Sequence, residues 1–253
     1  MGIMTKDTLN ELPGVLIEAL DEKMISDGNG NLVELHSNIS KQEAKILYET
    51  VFEFSPQNSV EIGCAMGISS LAILKACEDN NKGLHTIIDP YQSTIWSNIG
   101  LTLIRKANLD QRMVFHERFP EEILPNLGEI DFGFIDGSHL FDYTMMDFVL
   151  IDKKLRVGGL IGFHDLWMPS LKSMLRFILN NRSYTLVSEV KKPKRIRKKI
   201  RRAFRSFVAK LPHSNKVFSG NFLQPFFLGE MGNLFLLRKD ANDDRDWRYF
   251  VPF

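Results

Sequence analysis

The sequence predicts an α/β fold, a largely parallel sheet with helices on both faces. Three observations carry this. From residue 59 onward, short apolar runs bounded by Gly, Asp and Asn alternate with stretches of helical spacing. The first run passes through Gly63 and Gly67 directly into a helical stretch. Later runs end in acids, at Asp89, Asp136 and Asp165, where the carboxyl ends of parallel strands face a ligand crevice.

The elements follow in order. Residues 8–25 carry Leu9, Leu12, Leu16, Leu20 and Met24 at helical spacing, which predicts one or two helices broken near Pro13. DGNGN at 27–31 is a turn. Ser40 and Glu43 form a capping box for a helix that ends at Phe54, before Ser55 and Pro56. Strands are predicted at 59–63, 84–89, 113–117, 130–136, 158–165, 184–190 and 233–239. Helices are predicted at 68–79, 93–108, 120–127, 140–154 and 169–180. We divide the chain into an N-terminal helical extension, 1–39, and a main domain, 40–253, with an insertion at 191–232. That insertion is far longer than the ~4–6 residues of a median loop.

With 253 residues, 44% hydrophobic and 25% charged, the chain has an ordinary globular composition. It suits one large domain better than two small ones. Cys64 and Cys77 show no pairing pattern, which suggests a reducing compartment. No signal peptide, myristoylation pattern or membrane-spanning run is evident, so the reading is cytoplasmic. The net charge of +1 conceals a block at 191–210 with eleven Lys or Arg and no acid. Ile196, Ile200, Phe204, Phe207 or Val208, and Leu211 give the segment 191–211 the pattern of a cationic amphipathic helix. Three readings stand: a helix packed on the domain, contact with an anionic membrane surface, or contact with nucleic acid phosphates. Peripheral membrane association would accompany the second. The charges lack interleaved aromatic stacking residues, which weighs against the third.

The loop after the first strand selects its ligand by exclusion. Glu61-Ile-Gly63-Cys64-Ala65-Met-Gly67 lacks the middle glycine of a dinucleotide fingerprint, and no Gly-Lys-Ser/Thr follows to make a phosphate loop. A ligand without phosphates fits better. Asp89 can accept hydrogen bonds from ribose hydroxyls. Glu61 can balance the ammonium of a nucleoside that carries an amino acid. Singly, each piece is also what an ordinary turn or helix cap looks like; in this order they converge on one ligand.

VEIGCAMGISSLAIL, IIDPY and DFGFIDGSHLFDYTMMDFVLIDKKLRVGGLIGFHD together resemble the class I methyltransferases that use S-adenosylmethionine (SAM). Within them the chain is most similar to the small-molecule and sugar O-methyltransferase branch with an Asp-Gly-Ser-His motif (methyltransferase domain 24-like). The resemblance covers about residues 40–190 and the last strand. It implies a Rossmann-like seven-stranded sheet in the order 3-2-1-4-5-7-6, with strand seven antiparallel. It implies SAM contacts from Gly63, Cys64, Ala65 and Gly67, from Asp89, from Glu117, Arg118 and Phe119, and from Asp136.

Asp136 and Asp165 end adjacent strands, with His139 and His164 nearby. Two carboxylates and an imidazole can hold a divalent cation, Mg²⁺ or Mn²⁺. A bound cation lowers the pKa of a hydroxyl acceptor, and a histidine can take its proton. In metal-dependent relatives the aspartate is a ligand and the motif histidine the proposed base. The resemblance places those roles on Asp136 and His139, with Asp165 as the second acid. There is one departure. Leu166 stands where such relatives carry an acid or Asn, so either His164 supplies the third ligand or the site is metal-free. His36, His85, His116 and His213 show no matching acid pattern and are expected to be structural.

The expected activity is O-methylation of a hydroxylated small molecule or a glycan. A nucleic-acid methyltransferase and a non-catalytic SAM-binding protein are the alternatives; the sequence lacks an Asn/Asp-Pro-Pro-Tyr/Phe base-methylation motif. A homo-oligomer is left open.

Overall fold

The computed structural model describes residues 12–27, 30–189 and 233–253. The basic segment 191–211, the rest of the insertion and Leu9 lie outside the described residues.

Helix α1 (Gly14–Glu22) starts immediately after Pro13 and stops at Lys23, whose backbone is left-handed. Helical spacing predicts that the helix continues past Met24. Instead, strands β1 (Met24–Ser26) and β2 (Leu32–Glu34) form an antiparallel hairpin around the predicted turn. The left-handed Lys23 breaks the helical path, and Asp27 holds the turn by accepting from the Asn31 backbone N–H at 2.8 Å. Helix α2 (Lys41–Phe54) has the predicted capping box: Glu43 N–H donates to Ser40 Oγ at 3.3 Å and Ser40 N–H to Glu43 Oε2 at 2.8 Å. A left-handed Ser55 ends it.

The main sheet then alternates with helices: β3 (Asn58–Ile62), α3 (Ile68–Asp79), β4 (Leu84–Ile88), α4 (Ile99–Lys106), β5 (Met113–His116), α5 (Pro120–Ile123), β6 (Ile130–Ile135), α6 (Phe141–Asp152), β7 (Leu155–Phe163), α7 (Pro169–Asn181), β8 (Tyr184–Glu189) and β9 (Phe235–Lys239). Its order is β5-β4-β3-β6-β7-β9-β8. The pairs from β5 to β7 are parallel, while β9 runs antiparallel to both β7 and β8. This is the expected Rossmann-like order with its seventh strand reversed. Helix α4 is shorter than the predicted 93–108 because Ser97 and Asn98 both take left-handed conformations, which no α-helix accommodates.

Because both faces are covered, the strands are apolar on both sides. Val60, Ile62, Ile135, Phe163 and Phe235 enter one buried cluster with α6 and α7. Phe132, Phe134 and Leu236 enter the other, with α1, α2 and α3. A polar group interrupts the second face. Glu61 accepts from Ser70 Oγ and meets His85 Nε2 at 3.1 Å, while Ser59 Oγ lies 2.9 Å from His85 Nδ1. Glu61 and His85 are completely buried. His85 therefore is structural, as expected, yet it has an acid partner that lies one strand away instead of nearby in sequence.

Strand order reverses between β3 and β6, so the carboxyl ends of these two strands open a crevice.

Candidate active site

Two cavities occupy that crevice. The first, about 440 Å³, is walled by residues 37–39, the loop 63–65, Ile68, Ser69, Asp136, His139, His164 and Asp165. The second, about 590 Å³, is walled by Asp89, Pro90, Tyr91, Phe119, Glu121, Tyr143 and Asp147 among others. They share Gly63, Ala65, Trp96, Asp136 and Gly137. Both fall within the ~300–1,000 Å³ of small-molecule sites.

The loop between β3 and α3 is held in an unusual shape. Gly63 and Gly67 have φ of +90° and +85°, and Ala65, which has a Cβ, has φ +45°. Asp89 holds this strain: its Oδ2 accepts from the backbone N–H of Cys64 at 3.1 Å and of Ala65 at 3.0 Å. Gln92 completes the brace by donating to Ala65 O at 2.7 Å and to Asp89 Oδ2 at 2.9 Å. A Cβ at Gly63 would collide with the Asp136 carbonyl. Gly63→Ala is therefore expected to cost roughly 1–3 kcal/mol or more, read as a lower urea midpoint, and to abolish nucleoside binding. Gly67 serves packing instead: a Cβ there would lie 2.8 Å from Gly100 Cα at the start of α4.

The catalytic candidates meet at the rim. His139 Nε2 lies 2.8 Å from Asp165 Oδ2 and 3.2 Å from Asp136 Oδ1. Trp167 Nε1 donates to Asp165 Oδ1 at 2.8 Å, and Ser170 Oγ donates to the His139 carbonyl at 2.9 Å. His139 and Asp165 both have positive φ, +61° and +56°. Such strain persists where surrounding structure over-determines it, commonly at functional sites. His164 is more buried. Its Nδ1 lies 3.4 Å from Asp136 Oδ1 and 3.5 Å from Asp165 Oδ1, and its Nε2 lies 3.5 Å from Glu43 Oε2. That last contact is an ion-pair approach, since His164 Nε2 makes no hydrogen bond. The capping-box acid of α2 thus reaches the back of the site.

These contacts fix the charges. Hydrogen bonds to Asp136 and then Asp165 raise the His139 pKa to about 9. Burial would lower that of His164, but Asp136 and Glu43 outweigh it and push it up to about 10. Asp136 is held down at about 2, because the two imidazoles overcome its desolvation.

Ligand atoms of Asp136, His139 and Asp165 all lie within 4.8 Å of one another, so these three could hold a cation. Two carboxylate oxygens and one imidazole nitrogen suit Mg²⁺ or Mn²⁺. The sequence placed His164 in that set. The structure groups His139 there instead, and both ring nitrogens of His164 already face carboxylates.

Other expected contacts are distributed unevenly. Cys64 and Ala65 wall the first cavity. Glu61, turned towards α3, walls neither cavity. Glu117 and Arg118 wall neither as well; Glu117 is exposed and accepts from Ser93 N–H at 2.7 Å. Phe119 does wall the second cavity, with Tyr91 edge-on to it at 6.1 Å. The sequence reading missed residues 37–39, Ser69, Gln92, Trp96 and Asp147. Of these, Gln92 carried a signal, three residues past Asp89.

Asp147 is an unusual wall residue. It is 4% exposed, and burial followed by the Glu121 charge raises its pKa to about 7. A carboxyl raised in the fold binds a proton that the unfolded chain releases from about pH 4 upward. It therefore penalises the fold increasingly between about pH 4 and 7, and fully above that. Asp147→Asn is expected to stabilise the protein above pH 7, on the order of a few kcal/mol, and to leave it unchanged near pH 4. Urea melts at both pH values check this.

Residues 60–166 match the family model described as a methyltransferase domain. Over that stretch the chain is similar to a methyltransferase domain, and the strand order of its sheet is that of the Rossmann-like methyltransferase fold. The match covers the loop after β3, Asp89 and all four of Asp136, His139, His164 and Asp165. Among curated proteins the domain is similar to caffeoyl-CoA O-methyltransferase 2 of Petunia hybrida, 32% identical over 140 residues, covering 52% of this chain and 55% of the relative. Caffeoyl-CoA O-methyltransferase 3 of Nicotiana tabacum is 32% identical over 142 residues, with the same 52% and 55% coverage. The chain thus spans about half the length of the curated relatives it matches. In three dimensions the fold is similar to that of the O-methyltransferase TomG from Streptomyces achromogenes, crystallised with SAM, at a TM-score of 0.59 and 14% identity, covering 94% of this chain and 100% of that one. The O-methyltransferase from Bacillus cereus, crystallised with S-adenosylhomocysteine (SAH), gives 0.58 and 15%, covering 94% and 93%. Among the described residues no helix is long and apolar enough to cross a membrane.

Proposed function

We propose that the protein transfers a methyl group from SAM to a hydroxyl of a small-molecule or sugar acceptor. One observation carries this reading: a cavity suited to a nucleoside shares its wall with a cavity that holds Asp136, His139 and Asp165. When bound, SAM supplies an electrophilic methyl group on sulfur, and a divalent cation supplies a Lewis acid that acidifies a hydroxyl.

The chain's own residues do the rest. Asp89, Tyr91 and Phe119 all wall the second cavity, which supports assigning the ribose to Asp89 and the purine to the space between the two rings. Ile68 and Ser69, the first residues of α3, line the first cavity, and a helix start of this kind favours a carboxylate such as that of the methionine portion. Asp136 and Asp165 orient the acceptor hydroxyl, directly or through the cation. His139, in its neutral form, takes the proton from that hydroxyl. Positioning matters most here, since methyl transfer is an in-line displacement. Trp96 on the shared wall and the exposed Trp167 beside Asp165 favour an acceptor with a flat, apolar portion, and the similarity to caffeoyl-CoA O-methyltransferases supports the same choice.

The test is transfer of labelled methyl from SAM to a panel of vicinal aromatic diols, simple phenols and sugars, with and without Mg²⁺ or Mn²⁺. Labelled ether products from the diols or sugars support the proposal. Label appearing only in nucleic acid, or SAH binding without turnover on any acceptor, contradicts it. The composition of 191–211, with eleven basic residues in 191–210, supports contact with an anionic membrane surface, which flotation with anionic vesicles would detect.

A further inference from the structure

Helix α2 carries an acid whose position its capping role does not explain. Glu43 Oε2 accepts from the Ser40 N–H at 2.8 Å, and the same oxygen lies 3.5 Å from His164 Nε2. Glu43 and His164 are each 6% exposed. A capping box needs only the reach back to the N-cap amide, and Gln serves there as well as Glu. It requires neither burial nor charge. A carboxylate withdrawn from water is costly unless an opposite charge faces it, and His164 stands in that place.

The far side of the same ring faces the chemistry. His164 Nδ1 lies 3.4 Å from Asp136 Oδ1 and 3.5 Å from Asp165 Oδ1. Asp136 Oδ1 in turn lies 3.2 Å from His139 Nε2. Acid and imidazole thus alternate from Glu43 through His164 and Asp136 to the proposed base. Glu43 walls neither cavity, so it reaches no ligand itself. What it can set is the orientation of the His164 ring. An imidazole between carboxylates turns a nitrogen to each, and the partner of one nitrogen fixes the role of the other. With Nε2 held towards Glu43, Nδ1 is held towards Asp136.

We infer that Glu43 is a positioning residue for Asp136, acting through His164. This rests on the reading that Asp136 orients the acceptor hydroxyl. The Glu43 carboxylate anchors the ring, and the ring keeps Asp136 in one orientation on the wall common to both cavities.

The experiment separates the two tasks of Glu43. Glu43→Gln keeps the cap and removes the charge. Ser40→Ala breaks the cap and leaves Glu43 facing His164. Methyl transfer is followed with the best acceptor of the diol, phenol and sugar panel, beside urea melts and an SAH titration of each full-length protein. Glu43→Gln is expected to lose about 10–100-fold in kcat, with acceptor KM and SAH affinity within about threefold of wild type. Ser40→Ala should do the reverse, with a lower urea midpoint and a kcat within about twofold. In a His164→Asn background, Glu43→Gln should change kcat by less than about twofold, because the intermediary is already gone. A Glu43→Gln protein with wild-type kcat overturns the inference, as does a loss that Ser40→Ala matches or that multiplies with the loss in His164→Asn. Proton–nitrogen correlation spectra of the imidazoles give a readout that needs no turnover. Glu43→Gln should move the ring signals of His139 as well as those of His164, and Ser40→Ala should move neither. His139 signals that stay in place in Glu43→Gln refute the assignment, whether or not any acceptor is methylated. A folded wild type that neither binds SAH nor methylates any acceptor defeats the methyltransferase reading itself. Turnover that Glu43→Gln leaves intact defeats only the role of Glu43.

Discussion

Asp136→Ala is expected to lower kcat/KM for methyl transfer by roughly 10²–10⁴-fold. Asp136 stands on the wall common to both cavities, at the end of β6, with its Oδ1 facing both His139 and His164. Its removal takes away a candidate cation ligand and the carboxylate that faces both imidazoles at once. SAH affinity should change far less, because the backbone around Gly63 and the Asp89 brace are untouched. A kcat/KM measurement beside an SAH titration separates the two effects. Near-normal turnover in the variant would remove Asp136 from the chemistry. If a cation takes part, its stimulation of the wild type must vanish in the variant as well.

His139→Ala should cost a comparable ~10²–10⁴-fold, and the pH profile should identify the reason. Asp136 and Asp165 raise the wild-type pKa of His139 to about 9, so the imidazole carries a proton below that value. A base must first lose that proton. The wild-type rate therefore should climb as pH rises towards 9, and the variant should lack this climb. A cation held by all three residues would occupy the His139 nitrogen that faces the carboxylates and remove this climb, so the climb is expected of a base that is not itself a cation ligand. Because the residues act as a unit, the Asp136→Ala, His139→Ala double variant should be scarcely worse than either single one. A fully multiplicative loss would indicate two independent roles. An unchanged pH profile in His139→Ala would place the base elsewhere.

The fold was legible because its signals are local. The run 59–63 enters a Gly-rich turn, and 68–79 has a helix without breakers, so β3 and α3 could be placed within a residue. The capping box at Ser40 and Glu43 marked the start of α2 in the same way. What failed depended on backbone handedness or on contacts distant in sequence. The left-handed Lys23 turned a helical pattern into a hairpin, and left-handed Ser97 and Asn98 delayed α4. None of these positions is a glycine, so composition gave no warning.

The candidate site divides along the same line. Asp89, Asp136, His139 and Asp165 follow from their places at strand ends, and the structure brings the last three together. Glu61 lies on the α3 side of β3, where the partner that engages it, His85, sits on the adjacent strand 24 residues away. Gly67 packs against Gly100, a contact between two helix starts that sequence spacing cannot express. That His139 and not His164 groups with the two carboxylates goes with the left-handed turn at His139, whose Nε2 lies 2.8 Å from Asp165 Oδ2 and 3.2 Å from Asp136 Oδ1. Asp147 was invisible for a simpler reason. An acid in the middle of an amphipathic helix reads as solvent-facing until the neighbouring strands show that it is enclosed.

The central claim is that the turn at 63–67, Asp89 and the Asp136–Asp165 pair surround a single nucleoside. Calorimetric titration of SAH into the folded chain measures this directly. The account predicts one site per chain with a Kd of about micromolar, lost in Gly63→Ala. A folded wild type that takes up no SAH at millimolar concentration would contradict it.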